Sequence, residues 1–333
     1  MLSLGNTSGA LSSVCIDKSI ILVTGATGWV GRSVIHELQK HITPVRFNEI
    51  VFAFASKHGS IRSTAYGQGS AISIPVFPLS ELARVAHERR ILLIHTAFLT
   101  KDRLRSYGSS SFVDTNRRIT SIVCEAVRGA EHSRVVEISS GAAALCAERG
   151  ESSLGKAADP YGFLKLSEER LLAEITETQV LRIYALSGRF IRDPQAFALG
   201  DFLISALKGV PIRIQAKGPV IRGYVSASDV AQTALCWLMS EYSPLPPISA
   251  VSHVVALTTL AASISTMFKL PSVVSDHLAE APNSYSCSPA LFLALMQSFS
   301  LKPMSMSEQI IDTKDGILTF LAGRGSPENA IFD

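Results

Sequence analysis

The chain has no CxxC pair, and its five cysteines (Cys15, Cys124, Cys146, Cys236 and Cys287) are widely spaced and odd in number. That pattern builds neither a disulfide framework nor a thiolate zinc site, and it suits isolated thiols in a reducing compartment. The eight histidines offer only His36 and His41 as near neighbours, and five residues apart they do not share a helix face, so no metal site is expected. There is no run of five basic residues and no aromatic–basic alternation. Net charge is only +3 with both signs dispersed, which excludes an electrostatic case for nucleic acid. The opening stretch MLSLGNTSGALSSVCIDKS lacks a basic n-region and an apolar h-region. It reads as a flexible Gly/Ser extension over residues 1–18 rather than a signal peptide. The most apolar later stretch, AVSHVVALTTLAASISTMF, is interrupted by His253 and by many Ser and Thr. It is too polar for a bilayer span and is expected to form a strand and a buried helix. These absences lead to the expectation of a soluble, cytoplasmic protein with no membrane partner.

Apolar residues make up 47% of the 333 and charged residues 18%, enough to bury a sizeable core. Short apolar runs at 19–25, 49–55, 90–97, 134–140 and 179–185 are rich in β-branched residues and bounded by turn or polar residues. Helix-like segments such as GRSVIHELQK, NRRITSIVCEAVRG and YGFLKLSEERLLAEI lie between them. Strand–helix alternation over about 170 residues predicts an α/β fold with a doubly wound parallel sheet. The rhythm changes after Gly188, and a proline-rich break, SPLPPIS, falls at 243–249. The expected division is a main α/β domain over 19–188 with 223–242. A smaller mixed α/β lobe takes 189–222 and 243–333.

The first strand runs into TGATGWVG, with Gly25, Gly28 and Gly31 at GxxGxxG spacing. Glycines at a strand-to-helix turn let a backbone approach a pyrophosphate, which then meets the N–H groups of the helix start. A plain glycine-rich turn is the alternative. A Walker-type phosphate loop is excluded because Arg32, not Lys, follows Gly31. Further on, Tyr161 and Lys165 are four apart in DPYGFLKLSEERLL and so share a helix face. They could be a solvated pair. They follow a strand ending in Ser139 and Ser140, at the carboxyl edge where open α/β sheets bind ligands. There a phenol could exchange a proton, an ammonium could favour its phenolate, and a serine hydroxyl could hold a substrate oxygen.

TGATGWVG and YGFLK resemble the short-chain dehydrogenase/reductase superfamily, and in detail its extended branch, the NAD(P)-dependent epimerase/dehydratase family of nucleotide-sugar enzymes. LLIHTAF, with His95 and Ala97, is similar to the branch's fourth-strand motif, and VDTNRRITSIVCEAV places Asn116 at the head of a helix as the family does. ISSGAA, LRIYALSG, ALKGVPIRI and VIRGYVSASDVAQTAL follow in family order, so the resemblance covers roughly residues 19–270. It implies a Rossmann-like dinucleotide-binding domain and a C-terminal substrate lobe. It places the cofactor on Gly25, Thr27, Gly28, Trp29, Val30 and Gly31, then on Thr96, Ala97, Tyr161 and Lys165. The implied catalytic residues are Ser140, Tyr161 and Lys165, with Ser140 and Arg222 on the substrate. It also permits a homodimer through the helices carrying Asn116 and Tyr161, where Ile119, Ile122, Val123, Leu166, Leu171 and Leu172 are apolar.

Three departures qualify what the resemblance implies. The second strand ends in Ser56 and Lys57 with no carboxylate nearby, which favours NADP over NAD unless Lys57 only faces solvent. Ala185 and Ser187 stand where nucleotide-sugar enzymes commonly have Asn and Tyr. Gly141-Ala142 replaces the Asp-Glu of the dehydratases. The expected activity is therefore a 4-epimerase or a 4-keto reductase of a nucleotide-linked sugar. An NADP-dependent reductase of a non-nucleotide carbonyl compound and a non-catalytic dinucleotide-binding regulator are the alternatives.

Overall fold

The computed structural model describes residues 19–64, 71–149, 159–270, 273–275 and 281–323. The expected N-terminal extension and Cys15 lie outside these residues. The order begins with β1 (Ser19–Thr24), α1 (Trp29–His41), α2 (Pro44–Ile50), β2 (Val51–Ala55), β3 (Gly59–Thr64) and β4 (Ala71–Pro78). It continues through α3 (Leu82–Ala86), β5 (Arg90–His95), α4 (Leu104–Tyr107), α5 (Ser109–Gly129) and β6 (His132–Ser140). Next come α6 (Gly141–Arg149), α7 (Pro160–Ile175), β7 (Glu177–Ile183) and β8 (Ala185–Ser187). The last third holds α8 (Ala198–Leu207), β9 (Ile212–Ile214), β10 (Val220–Ser226), α9 (Ala227–Leu238), β11 (Ile248–Ala250) and β12 (His253–Ala256). It ends with α10 (Leu257–Phe268), β13 (Val273–Ser275), β14 (Asn283–Tyr285), α11 (Ala290–Ser298) and α12 (Met306–Gly323).

Eight strands form the main sheet in the order β11-β7-β6-β5-β1-β2-β4-β3. All neighbours are parallel except β3, which pairs antiparallel with β4 as an edge hairpin. The doubly wound parallel sheet read from the sequence is present. The hairpin is not among the strands expected from the sequence. After β4 the chain crosses back to lay β5 beside β1, so the strand order reverses between β1 and β5. A crevice at the carboxyl ends of those two strands is the usual ligand position in such sheets.

Each face of the sheet is covered by helices. On one, Val23, Ile94, Val136 and Ile138 pack with α1 residues Val34 and Leu38 and α9 residues Val230, Ala234 and Trp237. On the other, Leu22, Leu93 and Val135 meet α5 and α7 through Val123, Val127 and Leu172. A third apolar cluster joins α8, α10 and α12 around Phe202, Leu203, Ile264 and Ile317, and Trp29 at the start of α1 packs against it. A small second sheet, β12-β10-β14 with β8 added to β10, stands over the carboxyl edge of the first. The strand and buried helix expected from AVSHVVALTTLAASISTMF are β12 and α10. Of the apolar positions once open to a helical interface, Val123, Leu166 and Leu172 are buried within the chain and Leu171 is exposed.

Candidate active site

The glycine turn is built for close approach. Gly25 has φ +64, and a Cβ there would lie 2.6 Å from Thr96 Oγ1 and 2.7 Å from the Ala97 nitrogen. A Cβ on Gly31 would run into the Gly25 carbonyl, so α1 can start this close to β1 only without one. Gly28 is the N-cap of α1, and no side chain caps it. The first-turn N–H groups of Trp29, Val30 and Gly31 thus lack a side-chain acceptor, the arrangement a pyrophosphate fits. Thr27, Gly28 and Trp29 reach the surface while the Val30 side chain is in the core, which leaves Val30 its backbone to offer. The Ala26 N–H donates to Phe54 O at 3.0 Å, fastening the turn to the end of β2. Ser56 and Lys57 follow in an exposed bend.

Across the crevice, Thr24 organises the end of β5. Its Oγ1 accepts from the Thr96 and Ala97 N–H groups at 3.2 and 3.4 Å and lies 2.7 Å from His95 Nδ1. With its acceptor capacity used by two N–H groups, the Thr24 hydroxyl donates its proton to Nδ1. His95 therefore carries its own proton on Nε2 and donates to Glu168 at 3.0 Å. Asn116 clamps the following segment, accepting from Leu99 N at 2.8 Å and donating to Leu99 O at 3.3 Å.

Helix α7 is started by Asp159, whose carboxylate accepts from the Gly162 N–H at 3.2 Å, with Pro160 at the first helical position. Aspartate then proline is a strong start signal, and it fixes Tyr161 in the first turn and Lys165 one turn later. Gly162 lets that turn press on α6, since a Cβ would lie 2.7 Å from Ala142 O. Ser140 ends β6, and its Oγ accepts from the Ala142 N–H at 3.2 Å. It lies 3.3 Å from Tyr285 Oη, with the Tyr161 phenol beside it. Burial pushes the Tyr161 phenol above its ordinary range, while Lys165 and Ser140 pull it down.

The Lys165 ammonium donates to Ile138 O at 3.0 Å and to Glu168 Oε2 at 2.8 Å, and it sits 4.0 Å over the Phe98 ring. Phe98 also meets the Tyr161 ring edge-on at 5.8 Å. Burial would lower the lysine's pKa, but Glu168, Glu137 and Tyr161 hold it above its ordinary value. Glu168 is fully buried and accepts from Thr120 Oγ1 at 2.7 Å as well. Burial opposes its charge, yet Lys165 and His95 keep it well below the usual carboxylate range. Next to it, Glu169 takes Arg182 at 2.5 Å and Ser139, so the first serine of the pair is structural.

The structure thus brings together Ser140, Tyr161 and Lys165, joined through His95 and Thr24 to the glycine turn. Arg222 is not in that group. It is half-buried on β10 and donates to Asn283 O and Oδ1 at 3.1 and 3.0 Å, one strand from Tyr285, its register partner on β14. Ser187 is buried and donates to Gln309 at 2.7 Å. Tyr285, Phe98, Glu137 and Glu168 were not singled out from the sequence. The signals for the two glutamates were there: one acid inside the apolar run RVVEISS, and another three residues beyond Lys165.

Residues 21–247 match the NAD dependent epimerase/dehydratase family. The chain belongs to that family. Solved structures of similar fold include a UDP-N-acetylglucosamine 4-epimerase from Methanobrevibacter ruminantium in complex with UDP-N-acetylmuramic acid. It is 16% identical with a TM-score of 0.68, covering 91% of this chain and 99% of that one. A UDP-glucuronic acid 4-epimerase from Bacillus cereus, in complex with UDP-glucuronic acid and NAD, is 19% identical. Its TM-score is 0.64, with 90% and 99% covered. A Methanothermobacter thermautotrophicus epimerase is 17% identical with a TM-score of 0.66, with 95% and 98% covered. No curated protein matches the sequence.

Proposed function

We propose that the protein moves a hydride between a nicotinamide dinucleotide and C4 of a nucleotide-linked sugar, with Ser140, Tyr161 and Lys165 as its catalytic residues. What carries this reading is the meeting of Ser140 at the end of β6 with Tyr161 and Lys165 of α7 at the sheet edge beside the glycine turn, where the Lys165 ammonium bonds Ile138 O, two residues before Ser140, at 3.0 Å. The nicotinamide supplies the hydride acceptor and donor when bound. Ser140 holds the reacting sugar oxygen, Tyr161 takes or returns its proton, and Lys165 supplies a fixed positive charge next to the phenol. The main sheet with α9 takes the dinucleotide, and residues 189–222 with 243–333 frame the sugar, Arg222 facing its diphosphate. NADP is the preferred form, because Ser56 and Lys57 offer a hydroxyl and an ammonium. The first acid after them along the chain, Glu81, is engaged by His58 and Arg84.

Two net reactions use this site. Epimerisation returns the hydride within one cycle, and 4-keto reduction releases oxidised cofactor. The test is an assay with UDP-sugars and their 4-keto derivatives in excess NADPH. Stoichiometric NADPH loss supports the reductase and interconversion without loss supports the epimerase. Tyr161→Phe is expected to slow either by about 10²–10⁴-fold, and unchanged turnover in that variant would sink the assignment.

A further inference from the structure

Glu137 is fully buried inside β6, and among the described residues no N–H or O–H group reaches either of its carboxyl oxygens. The nearest cation, Lys165 Nζ, is 3.9 Å from Oε1. Its other neighbour is the Glu168 carboxylate, which holds the same ammonium at 2.8 Å. Two carboxyl groups crowded around one buried ammonium are too costly to ionise together, so one of them carries a proton. The assignment of that proton follows from the partners. Glu168 already accepts from Lys165, His95 and Thr120, all of which stabilise its charge. Glu137 has no donor, so it is the acid, and burial with the facing Glu168 charge holds its pKa well above the ordinary value.

We propose that Glu137 and Glu168 form a carboxyl pair sharing one proton and one negative charge, and that this pair is the positioning device that keeps the Lys165 ammonium charged and fixed for Tyr161. Around one positive charge the chain has placed two acids, and a shared proton leaves the cluster neutral. A buried ammonium with one carboxylate is tolerable, whereas two carboxylates at this depth are not. The groups facing the pair come from every packed element: His95 on β5, Thr120 and the Cys124 thiol on α5, and Lys165 on α7. Asp159 and Tyr161 lie at the start of α7. Glu169 is committed to Arg182 and so does not compete for the lysine. Either carboxyl can serve as the counter-ion if the other is lost, and this interchange distinguishes the pair from a simple salt bridge.

The proposal rests on the catalytic reading of Tyr161 and Lys165 for its consequence, but its first test needs no turnover. Infrared spectra of the whole protein labelled with ¹³C-glutamate separate glutamic acid from Asp229 and the other aspartates. At neutral pH the unaltered protein is expected to show one protonated glutamate C=O band. Glu137→Gln removes it. Glu168→Gln also removes it, because Glu137 then gives up its proton to become the lysine's partner. Absence of the band in the unaltered protein, or its persistence in Glu168→Gln, overturns the pair. The unaltered spectrum decides the first point even if a variant fails to fold. The second test reads Tyr161. In Glu137→Gln/Glu168→Gln the ammonium has no carboxylate left, and the phenolate becomes its best partner. The tyrosinate absorbance that Tyr161→Phe abolishes should set in at lower pH by about one unit or more, and an unmoved onset overturns the link to the site. If the band behaves as expected while Tyr161→Phe leaves turnover intact, the catalytic reading fails and the carboxyl pair stands.

Discussion

Towards its carboxyl end, strand β6 has two faces of opposite chemistry. Val136 and Ile138 point into the apolar layer beneath α1 and α9. Glu137 and Ser139 point the other way, towards Glu168, Glu169 and Lys165 on α7. Both faces are equally buried, so hydrophobicity alone does not separate them. The apolar face gains its stability from area removed from water and is insensitive to pH. The ionic face spends desolvation energy on three charged or polar acids and recovers it only through a complete set of partners. The first holds the sheet and the second holds the tyrosine's environment.

The largest expected effect comes from breaking the ionic face at its centre. Lys165→Met leaves Glu168 buried without its cation and should cost about 3–5 kcal/mol, read by denaturant unfolding, together with nearly all turnover. The sign with pH follows from Glu168. Its folded-state pKa is lowered, so its pairing stabilises the fold above the ordinary carboxylate range and that contribution is lost as pH falls. The deficit of the variant should therefore be full above the ordinary carboxylate range and shrink as pH falls below it. On the apolar face, Val136→Ala should cost about 2 kcal/mol through a cavity and lost contact. Its deficit should stay the same across that pH range and leave the Tyr161 pH profile alone. A pH-dependent deficit in Val136→Ala would mean the two faces are not independent.

The difference between the faces also explains what could be read from the sequence. The parallel strands were legible because both faces bury apolar side chains and the runs are nearly continuous, as in SIILVT and RILLIH. Tyr161 and Lys165 were legible because four residues on a helix is a local spacing, and Asp159-Pro160 marks the helix start. Glu137 was not, because its meaning depends on Glu168, His95 and Thr120, brought to it by three other elements. Tyr285 reaches Ser140 from 145 residues away, a contact that local periodicity cannot show. The β3 hairpin was hidden for a different reason: GSIRST is polar enough to pass for a loop, and it pairs at the sheet edge where water covers one side.

One residue cuts across the comparison, because it places a titrating group on the apolar side. Asp229 begins α9, the helix that covers Val136 and Ile138, and it is almost completely buried. Burial raises its pKa to about 7, with Glu37, Glu308 and Asp312 adding to the effect, while the Met304 N–H pulls it down. That N–H donates to both carboxylate oxygens at 3.1 and 3.3 Å, tying the segment before α12 to the main sheet's helix layer. With the folded pKa above the unfolded one, this group contributes stability at low pH that is lost as pH rises through about 7. Asp229→Asn keeps an acceptor for Met304 and removes the charge. It should raise the stability at pH 8 by about 1 kcal/mol, the lost charge-assisted bond offsetting most of the relief, and change little at pH 5. Thermal unfolding at the two pH values measures this. A variant less stable at pH 8 would show that the carboxylate's bond to Met304 outweighs its burial, and that the C-terminal segment is held by charge after all.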